Sequence, residues 1–145
     1  MKAQPEILLV EDDANDAFFV TRALEKLGFN GSLHHVLDVD AAKTFLSDYA
    51  GGNSFGGTLV VIADSAISCR GTGVDLLEWV RKREEGKTIP FVILSGELCP
   101  ETTERARCAG VDFILIKHQD STDTVEQLRK VFLEMPPAFR TWLRK

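Results

Sequence analysis

Residues 7–13, Ile7-Leu8-Leu9-Val10-Glu11-Asp12-Asp13, contain the pattern that decides the fold of this chain. Four consecutive apolar side chains run directly into three carboxylates, with no alternation of apolar and polar positions. Continuous apolar runs of this length are typical of strands that are buried on both faces of a parallel sheet. The carboxylates that follow would then lie at the carboxyl end of the strand, where open parallel sheets bind their ligands.

The same pattern recurs along the chain. Further continuous apolar runs occupy residues 59–62, 91–94 and 113–116, and a weaker run at 32–36 predicts an edge strand. Helical spacing of apolar residues predicts helices over 14–27, 40–49, 74–83, 101–109 and 122–135. Strands that alternate with helices predict an α/β fold, in which a parallel sheet carries helices on both faces.

The composition argues against several classes of function. The 145 residues fit one domain, and the net charge of -5, from 17 basic and 22 acidic residues, offers no basic surface for nucleic acid. No apolar run reaches the roughly 18 residues that a membrane-spanning helix needs. The first residues lack the features of a signal peptide, and the three cysteines have no metal-ligand spacing. Free thiols fit a reducing compartment, so we expect a cytoplasmic protein.

We predict one domain over residues 1–135, followed by a short helical tail over residues 136–145. Pro136-Pro137 would end the last helix, because proline lacks an amide hydrogen and clashes with the preceding turn. Phe139, Trp142 and Leu143 then lie on one side at helical spacing. A helix this short is marginal in water, so it must pack on its own domain or on a second copy. We favour the homodimer.

Polar side chains follow the strands at one edge of the predicted sheet. Glu11 and Asp12 follow the first, Asp64 the third, Ser95 the fourth and Lys117 the fifth. Clustered carboxylates repel one another unless a cation neutralises them, and hard oxygen ligands that also meet phosphate oxygens suit Mg2+. A carboxylate can attack phosphorus to form an aspartyl phosphate, whose three phosphoryl oxygens Mg2+, the ammonium and the hydroxyl would contact.

Each of these residues also has a simpler interpretation. Acidic residues at 11–13 favour the dipole of a following helix, and Asp64 could occupy a turn. Ser95 could belong to a loop, and a lysine at a strand end is usually solvated. The joint pattern is more specific, because separate strand ends would have to offer these groups in this order by chance. No Gly-x-Gly-x-x-Gly motif follows the first strand, which counts against a dinucleotide-binding enzyme.

The order of acidic pair, aspartate, hydroxyl and lysine at the ends of strands one, three, four and five resembles that of the response-regulator receiver domain. Residues 7–13 and Gly110-Val111-Asp112-Phe113-Ile114-Leu115-Ile116-Lys117 carry the resemblance, which covers about residues 5–135. It implies a flavodoxin-like, doubly wound, five-stranded sheet in the order 2-1-3-4-5, the order for which a chemotaxis receiver is a known example.

The resemblance also implies a role for each site residue. Asp64 would be the phosphorylated residue, Ser95 the switch hydroxyl and Lys117 the phosphate-contacting lysine. Four groups would bind Mg2+, namely the carboxylates of Glu11, Asp12 and Asp64 and the backbone carbonyl of Ala66. Asp13 falls one place too late for the acidic pair, and we predict that it caps a helix.

In function, the resemblance implies a single-domain response regulator of a two-component phosphorelay. A sensor histidine kinase or a phosphotransfer protein would phosphorylate it, and the phosphoprotein would signal by binding a downstream protein. It would catalyse only its own phosphorylation and dephosphorylation, so we do not expect an enzyme with an external product. A phosphate-independent interaction module with the same fold is the alternative.

Departures from the family pattern motivate that alternative. Ser68 stands where receivers usually have proline, and Ile114 stands where they usually have the aromatic switch residue. Phe113 is adjacent but would point to the opposite face of its strand. His118 replaces the proline that usually follows the lysine in a cis peptide bond. A non-proline cis bond costs roughly 3–4 kcal/mol, so we predict that Lys117-His118 is trans.

Overall fold

The computed structural model describes residues 6–29, 31–52, 59–65, 72–96, 99–117 and 121–135. Within these ranges strands and α-helices alternate along the chain. The strands are β1 (Glu6–Val10), β2 (Ser32–Val36), β3 (Leu59–Asp64), β4 (Phe91–Ser95) and β5 (Phe113–Ile116). The helices are α1 (Ala14–Lys26), α2 (Val39–Gly52), α3 (Gly73–Lys82), α4 (Pro100–Ala109) and α5 (Ser121–Glu134), with a short 3-10 turn at Glu84–Gly86.

The strands form one parallel sheet in the order β2-β1-β3-β4-β5. This order and the helices on both faces confirm the predicted flavodoxin-like fold. Successive side chains of a strand point to opposite faces, and β1 illustrates the consequence. Ile7 and Leu9 pack with α1 and α5, whereas Leu8 and Val10 pack with α2, α3 and α4. All four are at most 1% exposed, which explains the continuous apolar run.

The strands β3 and β4 extend further than the apolar runs predicted. Parallel pairing continues through Asp64, which is opposite Leu94, and β4 ends only at Ser95. The predicted boundaries stopped at the last apolar side chain, but backbone pairing does not depend on side-chain polarity. Both polar residues therefore lie within the sheet and are buried.

Local hydrogen bonds define where the first helix begins and how the third is capped. Asp13 caps α1, and its Oδ1 accepts from the N–H groups of Asn15 at 2.8 Å and Asp16 at 3.0 Å, as predicted. Thr72 and Asp75 form a reciprocal capping box at the start of α3. These contacts fix the first turns of α1 and α3, the helices that follow β1 and β3 along the chain.

Arg81 connects the loops at the edge of the sheet opposite the carboxyl ends of the strands. Its guanidinium donates to the backbone carbonyls of Gly86 at 2.7 Å, Ile89 at 2.8 Å and Gly110 at 3.0 Å, and to Asp112 at 2.9 Å. Backbone carbonyls leave no signal in the sequence, so this cluster was not predicted. Arg81 fixes the loops that lead into β4 and β5.

On the outer side of β5, Gln127 of α5 pairs with the backbone of Ile116. The Gln127 side-chain nitrogen donates to the Ile116 carbonyl at 3.2 Å, and its oxygen accepts from the Ile116 N–H at 3.3 Å. Among the described helices, none combines the length and the apolar character needed to cross a membrane. The predicted tail at 136–145 lies outside the described residues.

Candidate functional site

Three carboxylates surround one ammonium group at the carboxyl edge of the sheet. The Lys117 Nζ lies 2.8 Å from Glu11 Oε1, 2.7 Å from Asp16 Oδ2 and 2.7 Å from Asp64 Oδ2. Glu11 follows β1, Asp64 ends β3, Lys117 follows β5 and Asp16 belongs to the first turn of α1. The predicted convergence of strand ends is therefore present for Glu11, Asp64 and Lys117.

Backbone contacts fix the positions of Glu11 and Lys117. The N–H of Glu11 donates to the carbonyl of Val36 at 3.0 Å, and that of Lys117 donates to the carbonyl of Ser95 at 2.8 Å. His35 of the edge strand donates from Nε2 to the backbone carbonyl of Glu11 at 2.8 Å. The sheet therefore continues its pairing for one residue past the strand ends, which limits the movement of the side chains at this edge.

Burial makes the electrostatics of this cluster strong. Glu11 is 1% exposed and Asp64 is 6% exposed, whereas the Asp16 side chain is 40% exposed. Burial raises the pKa of Glu11 to about 8, and the neighbouring Asp64 carboxylate adds to this rise, while Lys117 opposes it. Burial alone would lower the pKa of Lys117, but hydrogen bonds to the three carboxylates outweigh it and hold that pKa above its usual value.

The donor set fits a hard divalent cation. One ligand oxygen from each of Glu11, Asp16 and Asp64 lies within 4.8 Å of the others. The second oxygen of Glu11, Oε2, is buried and has no hydrogen-bond partner among the described residues. A buried, unpaired carboxylate oxygen is costly, and a cation ligated by it would remove that cost. Three carboxylates around a single ammonium also leave an excess of negative charge, which a divalent cation would neutralise.

The other predicted site residues have different positions. Asp12 is exposed and does not belong to the close group of three carboxylates, so its role as a metal ligand stays a prediction. Ser95 is 6% exposed at the end of β4, where it borders a small cavity shared with Ser65, Thr102 and Ile114. Ala66 and His118 lie outside the described residues, as does the predicted trans bond after Lys117.

Asp16 was not identified as a site residue from the sequence. It occupies the first turn of α1, where an acidic residue is usually attributed to the helix dipole. The signal that could have identified it is its spacing. A helix that begins at Ala14, directly after the strand end, carries its first turn over the edge where Glu11 lies.

The two candidate switch positions on β5 face opposite sides of the sheet, as predicted. Phe113 packs against the core on the side of α1 and α5, and Ile114 packs against the core on the side of α2, α3 and α4. Ile114 also lines the small cavity next to Ser95. The aliphatic residue is therefore the one that faces α4 near the candidate site.

Relatives of known family share most of the length of this chain, although no protein-family model matches it. It is 32% identical over 132 residues to the probable methanogenesis regulatory protein FilR2 of Methanothrix harundinacea, with 88% of this chain and 83% of the relative covered. It is 28% identical over 131 residues to the two-component response regulator ORR3 of Oryza sativa, with 90% and 93% covered. For ORR1 of the same species, at 30% identity, it spans 53% of the relative.

Solved structures share the fold. The phosphorylated cyanobacterial phytochrome response regulator RcpA superposes with a TM-score of 0.75 at 20% identity, covering 91% of this chain and 96% of that one. The receiver domain from Rhodospirillum rubrum gives 0.77 at 23% identity, covering 90% and 95%. The Mn2+-bound form of response regulator Rcp1 gives 0.76 at 20% identity, covering 97% and 99%. Together with the sequence relatives, these results show that the chain belongs to the response-regulator receiver family of two-component signalling.

Proposed function

We propose that this receiver accepts a phosphoryl group on Asp64 in a Mg2+-dependent reaction and signals through altered contacts with other proteins. The observation that carries the proposal is the contact of 2.7 Å between Asp64 Oδ2 and the Lys117 ammonium, inside a carboxylate cluster that fits a divalent cation. A buried carboxylate beside a fixed positive charge suits attack on an anionic phosphoryl donor.

Each residue of the site would have a distinct role in the phosphoryl transfer. Asp64 oxygen would form the new bond to phosphorus while the bond from phosphorus to the donor breaks, and the leaving group takes the electron pair. Lys117 would hold one phosphoryl oxygen, and the Ser95 hydroxyl would contact another. Mg2+, held by Glu11, Asp12, Asp64 and the Ala66 carbonyl, would neutralise charge on the phosphoryl group.

The donor we propose is a sensor histidine kinase or a phosphotransfer protein. Two aromatic side chains on α1, Phe18 and Phe19, are 60% and 41% exposed. Phe19 also lines a cleft with Ile116 and Lys117, so apolar surface adjoins the reactive group. A protein that brings a phosphohistidine to Asp64 could cover this surface. The downstream partner and the homodimer through residues 136–145 stay predictions.

The proposal is tested by labelling with acetyl phosphate and Mg2+. The wild-type chain should gain the mass of one phosphoryl group, stable to acid and labile to hydroxylamine, as expected of an acyl phosphate. Asp64→Asn should take no label, because an amide is a poor nucleophile. Asp48→Asn makes the same chemical change at an exposed position of α2 and should label as the wild type does. Labelling of Asp64→Asn at the wild-type level would exclude Asp64 as the acceptor.

A phosphate-independent interaction module is the second candidate. The observation that favours it is Ile114, which faces α4 where the family usually has an aromatic residue. Amide NMR spectra with Mg2+ and beryllofluoride, a phosphoryl mimic, distinguish the two. A switch should shift resonances of α4 and β5 as well as those around Asp64. Shifts confined to the site would favour the module.

A further inference from the structure

The Lys117 ammonium is fully occupied before any phosphoryl group arrives. An ammonium group has three N–H donors, and three carboxylate oxygens accept from Lys117 at 2.7 to 2.8 Å. The partners come from three different elements, because Glu11 follows β1, Asp16 lies in α1 and Asp64 ends β3. A phosphoryl oxygen can therefore be held only when one of these hydrogen bonds is released.

Two of the partners lose their charge or share it during the proposed reaction. When Asp64 attacks phosphorus, an O–P bond forms, the bond to the leaving group breaks, and the carboxylate becomes a neutral acyl group. The negative charge then resides on the phosphoryl oxygens. Glu11 would share its charge with the divalent cation. Neither carboxylate can then hold Lys117 as it does in the free protein.

Asp16 is the partner that the reaction leaves unchanged. It is not the acceptor. One of its oxygens lies within 4.8 Å of oxygens of Glu11 and Asp64, but the family resemblance assigns the metal to Glu11, Asp12 and Asp64 and not to Asp16. Its backbone is fixed in a capped first turn. Its side chain is 40% exposed, so its carboxylate contacts solvent as well as Lys117. We propose that Asp16 is a positioning residue that keeps the Lys117 ammonium over the acceptor while Asp64 carries the phosphoryl group. This inference rests on the proposed function.

A helix-dipole role alone does not account for this geometry. Asp13 also lies at the start of α1, and its side chain bonds to backbone N–H groups of the helix. The Asp16 side chain instead reaches across to β5 and bonds to Lys117 at 2.7 Å. Asp13 therefore bonds to the backbone of its own helix, whereas Asp16 bonds to Lys117.

A kinetic experiment measures the effect on transfer. With acetyl phosphate and Mg2+, Asp16→Asn should label roughly tenfold more slowly than the wild type, the size expected for loss of one hydrogen bond between charged groups. Asp16→Glu retains the carboxylate and should recover most of the rate. Glu25→Gln removes a charge from the same helix at an exposed ion pair with Arg22, and it should behave as the wild type does.

A spectroscopic experiment shows whether Asp16 acts through Lys117. The signal of the Lys117 ammonium in 1H–15N spectra, assigned from Lys117→Arg, reports whether the group is held in hydrogen bonds and exchanges slowly with water. In the Mg2+–beryllofluoride adduct we expect this signal to persist in the wild type and to be lost in Asp16→Asn. Amide spectra of the variant should match those of the wild type away from the site.

The outcomes separate this inference from the proposed function. A wild-type chain that takes no label contradicts the proposed phosphoryl acceptance, and with it the role of Asp16 in the phosphorylated state. A labelled wild type with an equally fast Asp16→Asn overturns the role of Asp16 alone. Slower labelling with an unchanged Lys117 ammonium signal overturns it too, because Asp16 would then act by another route. Recovery in Asp16→Glu together with loss of the signal in Asp16→Asn supports it.

Discussion

Replacing Glu11 with glutamine should remove most of the pH dependence of stability that this site confers on the metal-free protein. Burial raises the Glu11 pKa from the usual 4.5 to about 8, so the folded chain binds this proton more tightly than the unfolded chain does. Stability from this group is therefore highest below pH 4.5 and decreases as the pH rises toward 8. Between pH 4.5 and pH 7 the wild type should lose on the order of 3 kcal/mol of this stability, at about 1.4 kcal/mol per pH unit, because the unfolded chain releases the proton while the folded chain keeps it.

The assay is urea unfolding in EDTA at several pH values between 5 and 8. Glu11→Gln cannot ionise, and its amide can donate to Asp64 as protonated Glu11 would. Its advantage over the wild type should therefore grow with pH across this window. The difference between the two chains cancels the titration of histidines, which both contain. Glu25→Gln, an exposed glutamate of α1, should show a constant difference from the wild type. If the difference in unfolding free energy between Glu11→Gln and the wild type is also constant with pH, the raised pKa of Glu11 is refuted.

Two further predictions concern the elements that support the site. Gly73→Ala should lower the free energy of unfolding by about 1–3 kcal/mol and slow labelling of Asp64, because a Cβ there would lie 2.4 Å from the Asp64 carbonyl oxygen. Gly96→Ala, whose Cβ would meet nothing within 4 Å, is the matched control, and an equal loss in urea unfolding for both would contradict this. Arg81→Met should lower the free energy of unfolding by about 2–4 kcal/mol in urea, because several loop carbonyls lose a charged donor, while labelling of the folded protein continues. Unchanged stability would show that water replaces the guanidinium.

The fold was predictable because local pattern and global topology agree. The apolar run at residues 7–10 lies between two cores, and that burial on both faces is what a continuous run indicates. Strand order required the family resemblance, since periodicity does not specify which strands are neighbours. The polar ends of β3 and β4 were placed just outside the strands because hydropathy marks buried side chains and not backbone pairing.

The site was predictable only where a residue directly follows or ends a strand. Glu11, Asp64 and Lys117 meet that condition, and the parallel topology alone brings them to one edge. Asp16 belongs to a helix, so its contact depends on the angle at which α1 leaves β1, which the sequence does not encode in a simple pattern. Arg81 binds backbone carbonyls, which every residue has.

The pairing of Gln127 with Ile116 has a consequence for how this molecule behaves at high concentration. The edge strand of an open sheet normally has unpaired backbone N–H and C=O groups, with which a strand of another chain can pair. Repeated pairing of this kind leads to fibres. Here the side-chain amide of Gln127 bonds to both the N–H and the carbonyl of Ile116 at the edge of β5. An incoming strand would have to displace this amide before it could continue the ladder past Ile116. The chain therefore carries, in a single glutamine, a local barrier to polymerisation through its own sheet.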